Sequence, residues 1–139
     1  MNILVIDAQG GGIGRQLVVA IKAACPGVSV TAVGTNSAAT SAMLKAGADR
    51  GATGENAVAV ACRKADVIAG PMGIVIADSM LGEITASMAA AIGQSVAVRV
   101  LIPMNNCDSI VAGVADMPVG QLIQIAANEI GRIAGKSGK

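Results

Sequence analysis

No phenylalanine, tyrosine, tryptophan or histidine occurs anywhere in this chain. Without aromatics there is no platform on which bases can stack. Ten basic residues scattered among nine acidic ones form no basic stripe, so we expect no nucleic-acid partner. Without histidine, acid–base work would fall to Asp7, Asp78, Glu55, Glu83 or Cys107. Without tyrosine, the Tyr-Lys pair of short-chain dehydrogenases cannot exist. Cysteine is scarce, and Cys25, Cys62 and Cys107 are odd in number and widely spaced. That pattern matches neither a disulfide framework nor a zinc site, and no metal is expected. The amino terminus lacks a basic region followed by an apolar run and a cleavage site. The longest weakly polar run, Val67 to Ala77, is too short to span a bilayer, which needs about 20 residues. These absences predict a cytoplasmic, reduced protein with no membrane segment.

Aliphatic residues are abundant. At 53% hydrophobic and 14% charged, the chain must build its core from Val, Ile, Leu, Met and Ala, and little polar surface is left to cover it. A homo-oligomer is the expectation. The 139 residues suit one domain, taken as 1–134, followed by a flexible basic tail over 135–139.

The chain is organised around its start. Ile3-Leu4-Val5-Ile6 reads as a buried strand, Gly10, Gly11, Gly12 and Gly14 crowd the turn after it, and Ile13, Leu17, Val18 and Ile21 recur at helical spacing. Strand, glycine turn and helix open a nucleotide-binding α/β unit. Glycine lets backbone approach a ligand, and the first N–H groups of the helix favour an anion such as phosphate. Gln9, Gly10, Gly11, Gly12, Ile13 and Gly14 are therefore the candidate phosphate site. The fingerprint is partial, because Gln9 stands where G-x-G-x-x-G begins. The plainer reading is a tight packing turn, which needs one or two glycines rather than four.

Val28 to Val33 alternates as a second strand and ends at Gly34-Thr35-Asn36. Dinucleotide folds carry an acid there for the ribose hydroxyls, or an Arg for a 2′-phosphate, and this chain has neither. Thr35 and Asn36 could hold a ribose or phosphate, or cap the second helix. A short third strand is followed by Thr53, a candidate N-cap, and by Glu55 and Asn56, which face the crevice or complement the dipole of a third helix. The fourth strand, Asp66 to Ala69, exits through Gly70, Pro71 and Gly73, opposite the first glycine turn. Asp78 and Glu83 are five apart and share no helical face. The fifth strand, Val96 to Ile102, leads to Asn105 and Asn106, which could bond a base or a nicotinamide carboxamide or simply form a turn. Ile110 to Val114 reads as a sixth strand, and Pro118 opens the last helix. This order predicts an α/β, Rossmann-like, doubly wound, mostly parallel sheet of about five to six strands with helices on both faces.

Taken together, Asp7 to Gly14, Gly34-Thr35-Asn36, Gly51 to Asn56, Gly70 to Ile74 and Met80 to Thr85 resemble a family of small bacterial proteins catalogued only as a domain of unknown function. The resemblance covers nearly the whole chain and implies a Rossmann-like fold without an activity. The residues themselves point first to a nucleotide- or dinucleotide-binding protein. NAD or NADP is a candidate ligand, other nucleotides stay open, and the partner is a small phosphate-bearing molecule. A small NAD(P)-dependent oxidoreductase and a nucleotide-sensing regulatory or assembly subunit are the alternatives.

Overall fold

The computed structural model describes residues 1–104 and 108–137. Five strands alternate with helices: β1 (Asn2–Asp7), α1 (Gly12–Ala24), β2 (Ser29–Gly34), α2 (Ser37–Lys45), β3 (Arg50–Thr53), α3 (Glu55–Lys64), β4 (Val67–Pro71), α4 (Ala86–Gln94), β5 (Val98–Ile102) and α5 (Val119–Ser137). A single 3-10 turn over Met72–Val75 follows β4. All pairings are parallel, in the order β3-β2-β1-β4-β5. The fold is a doubly wound α/β sheet.

β1 lies at the centre, paired with β2 from Asn2–Ser29 to Asp7–Gly34 and with β4 from Ile3–Val67 to Val5–Ala69. A parallel strand covered on both faces must be apolar throughout, which is why β1 reads as an unbroken aliphatic run. Its pleat sends Ile3 and Val5 to one layer, with Leu17 and Ile21 of α1, Met43 of α2 and Ile123 and Ile130 of α5. Leu4 and Ile6 go to the other, with Val58 and Cys62 of α3 and Met88 and Ile92 of α4. From β1 the chain winds outward through β2 to β3, then returns past β1 to β4. The strand order therefore reverses between β1 and β4, and a crevice opens at their carboxyl ends.

Several expected boundaries differ. Ile110 to Val114 is not a strand: Gly113 turns with φ 82° and the Val114 N–H returns to the Val111 carbonyl. A strand needs a neighbour, and among the described residues β5 ends the sheet. The third helix is capped by Gly54, at φ 105°, rather than by Thr53, which belongs to β3 and pairs with Gly34. α4 runs through Gly93 to Gln94, and α5 runs past Gly135 to Ser137, where a loose tail was expected. Among the described residues no helix is long and apolar enough to cross a membrane.

Candidate functional site

The turn after β1 is held by the strand's own last side chain. Asp7 is buried, and its carboxylate accepts the Ala8 N–H at 2.8 Å and the Gly14 N–H at 2.7 Å. Burial pushes its pKa up, against the N–H groups of Gly14, Ala8 and Ile13, with the charge of Glu83 adding to the rise. The Gly14 N–H, expected to await a phosphate, is thus already met by carboxylate. The Gly11 N–H goes to the Ala8 carbonyl at 3.0 Å. Of the N–H groups from Gly10 to Gly14, those of Gly10 and Gly12 donate to no protein acceptor among the described residues.

The four glycines divide the same way. Gly11 has φ 72°, and a Cβ there would lie 3.0 Å from the Ala39 backbone. A Cβ at Gly14 would lie 2.6 Å from the Met43 sulfur and 2.8 Å from the Asp7 Cβ. These two are required by the fold: a left-handed turn and a close helix–strand approach. A Cβ at Gly10 or Gly12 would meet nothing within 4 Å among the described residues. Both line an open cleft of about 310 Å³ with Gln9, Pro71, Met80 and Met104, at the carboxyl ends of β1 and β4.

A second carboxylate reaches the turn from far along the chain. Glu83 Oε1 accepts the Gln9 N–H at 2.9 Å, the Thr35 hydroxyl at 2.7 Å and the Asn36 side-chain amide at 2.8 Å. The Thr35 hydroxyl, followed by the Gln9 N–H, holds its pKa below the ordinary range; partial burial opposes them and the Asn36 amide assists. Asn36 also caps α2, its Oδ1 accepting the Ala39 N–H at 2.9 Å, and donates to the Gln9 carbonyl at 2.9 Å. The segment delivering Glu83 is strained. Asp78, Met80 and Leu81 all adopt left-handed φ, at 65°, 54° and 59°, followed by Gly82 at 87°. The Asp78 N–H closes this turn onto the Ile84 carbonyl at 2.7 Å, Ser79 bonds the Gly73 carbonyl, and buried Ile84 anchors it. Such strain gathers where a structure holds a side chain in place.

The remaining candidates scatter. Thr35 and Asn36 stand beside the turn, their donors spent on Glu83 and Gln9, but like Glu83 they do not line the cleft itself. Gly70 and Pro71 are strand residues rather than an exit loop; a Cβ at Gly70 would collide with the Ile6 carbonyl oxygen. Gly73 is buried in the 3-10 turn, and of the three only Pro71 lines the cleft. Glu55 and Asn56 form the exposed first turn of α3 and do not line it. Asn105 and Cys107 lie outside the described residues. Cys25 and Cys62 are buried, which pushes both thiols up and disfavours the nucleophilic thiolate. Among the described residues no group of three or more His, Cys, Asp or Glu could hold a metal. The roles of Asp7 and Glu83 went unread. Asp7 had a weak signal, an acid at a strand end just before the glycines. Glu83 had none, because its partners lie 47 to 74 residues away.

Fold and site define a doubly wound α/β protein whose switch-point crevice is built from a glycine turn braced by two carboxylates. The chain belongs to the family described as Domain of unknown function (DUF3842), whose model matches residues 2–134. No curated protein matches it. Among solved structures it is similar to a dodecameric FMN-dependent UbiX-like decarboxylase from Escherichia coli O157:H7, with 17% identity, 94% of this chain and 76% of that chain covered, and a TM-score of 0.46.

Proposed function

We propose that the protein binds a nucleotide or dinucleotide in the crevice at the ends of β1 and β4. A phosphate would lie on the Gly10 and Gly12 amides rather than deeper, on those Asp7 occupies. The observation that carries this reading is the division of the glycines. Packing and backbone conformation account for Gly11 and Gly14, whereas Gly10 and Gly12 have open space where a Cβ would stand, and their N–H groups, at the start of α1, have no acceptor among the described residues. The two carboxylates set the boundary, because a phosphate driven further in would meet their negative charge.

Glu83 favours a ligand with free ribose hydroxyls, as in NAD. No acid follows β2 in the sequence, yet its bonds to Thr35 and Asn36 bring a carboxylate to the carboxyl end of that strand. The other oxygen, Oε2, has no partner among the described residues and would accept from a ribose hydroxyl brought beside the cleft, while a 2′-phosphate would be repelled. Self-association also belongs to the proposal, since Leu81, Val96 and Ile110 are 97%, 98% and 88% exposed. Calorimetric titration with NAD, NADP, FMN and AMP tests the reading. Binding of at least one, weakened in Gly12→Ala, is expected; no heat with any of them removes it.

A further inference from the structure

A second cleft, of about 290 Å³, lies between α3 and strands β1, β2 and β3. It sits toward the amino ends of the strands, away from the crevice, and owes nothing to the proposed nucleotide site. α3 carries two stripes. Val58 and Cys62 enter the core, while Ala57, Val60 and Ala61, at helical spacing, line the cleft. Facing it, the sheet supplies exposed Ala52 over the buried core residues Leu4 and Val33, and all four residues of edge strand β3 are exposed.

The polar residues of this cleft are sorted to one end. Arg50 is the first residue of β3 and Lys64 the last of α3, so both cations stand at the amino edge of the sheet beside the aliphatic wall. Neither side chain has a hydrogen bond or ion pair among the described residues, where the salt bridges are Lys22–Asp49 and Arg132–Glu129. Asp49, which feels the charge of the adjacent Arg50, and Asp66, two residues after Lys64, hold their hydrogen bonds elsewhere. Asp49 accepts from Lys22 and from the Val30 N–H, and Asp66 accepts the Asn2 N–H at 2.7 Å. The cleft is thus aliphatic along its length, with two cations at one end that form no ion pair and whose charge Asp49 and Asp66 offset only in part. Having no aromatic side chain, it offers no ring face on which a planar ligand could stack.

We propose that this cleft binds a single-chain anionic amphiphile, its aliphatic tail between α3 and the sheet and its carboxylate between Arg50 and Lys64. The test is titration of the full chain with monomeric decanoate, decanol and decyltrimethylammonium, with light scattering at each concentration. Decanoate should bind at least about tenfold more tightly than decanol, and the cation should not bind. The double variant R50Q/K64Q should bind decanoate and decanol equally. Ala61→Phe and Ala57→Leu, which fill the cleft, should bind neither while keeping the native circular dichroism melt. Equal wild-type binding of decanoate and decanol overturns the proposal, as does unchanged binding in both filled variants. So does association only with vesicles, or a dimer whose interface protects α3 from hydrogen exchange and excludes decanoate.

Discussion

Gly12→Ala should stabilise the protein and weaken its ligand binding at once. Gly12 is the first residue of α1, its φ is not left-handed, and an added Cβ meets no protein atom within 4 Å among the described residues. Alanine there loses less backbone entropy on folding, which contributes about 0.5–1 kcal/mol in a helix. The same methyl group would stand in the cleft where the proposed phosphate would approach the Gly10 and Gly12 amides. Loss of one or two hydrogen bonds to a charged group costs about 1.5–3 kcal/mol, or roughly a tenfold to hundredfold weaker Kd. Gly14→Ala is the control. Its Cβ would fall 2.8 Å from the Asp7 Cβ, which the strand holds rigidly, so it should destabilise by about 1–3 kcal/mol. Urea denaturation followed by circular dichroism reads stability, and calorimetry with the best nucleotide reads affinity. If Gly12→Ala unfolds as early as Gly14→Ala, the division of the glycines is wrong. If it is stabilised yet binds nucleotide as tightly as wild type, phosphate does not sit on that turn.

Acid stability should depend on the two carboxylates in opposite senses. The pKa of Asp7 is raised, so its contribution is fully present below its ordinary 3.8 and is lost as pH rises through the raised value. The pKa of Glu83 is lowered, so its contribution is present above its ordinary 4.5 and is lost as pH falls through the lowered value. Urea midpoints from about pH 3 to pH 8 should therefore show Asp7→Asn losing the decline on the alkaline side and Glu83→Gln losing the decline on the acid side; parallel curves for all three proteins would refute both assignments. Glu83→Ala removes the shared acceptor of three donors and should cost about 1 kcal/mol, because water can replace it in part. It should also narrow the preference for NAD over NADP, a change a purely structural role would not produce. Thr40→Val should cost about 1–3 kcal/mol by thermal melt, since the buried Thr40 hydroxyl accepts the Gly34 N–H at 3.2 Å and bonds Thr53 at 2.7 Å. Light scattering checks self-association: Leu81→Ser with Val96→Ser should lower the mass to that of a monomer, and an already monomeric wild type would refute the interface.

The amino-acid sequence determined the layered α/β scaffold, because burial periodicity is a local property. The aliphatic run of β1, the alternation of Val28 to Val33 and the helical recurrence of Leu17, Val18 and Ile21 each state a surface to be covered. The glycine turn was legible for the same reason, since a strand ending in four close glycines before a helix has few conformations open to it. The false strand at Ile110 to Val114 marks the limit of such reading, because a short apolar run does not say whether a neighbour exists. Only the tertiary structure decided which glycines serve the fold and which face open space, since that depends on Ala39, Met43 and Asp7 arriving beside them. Only the fold brought Glu83 to the end of β2. Its three bonds join segments that local preference cannot relate, and the crossover that returns the chain from β3 past β1 to β4 sets their meeting place.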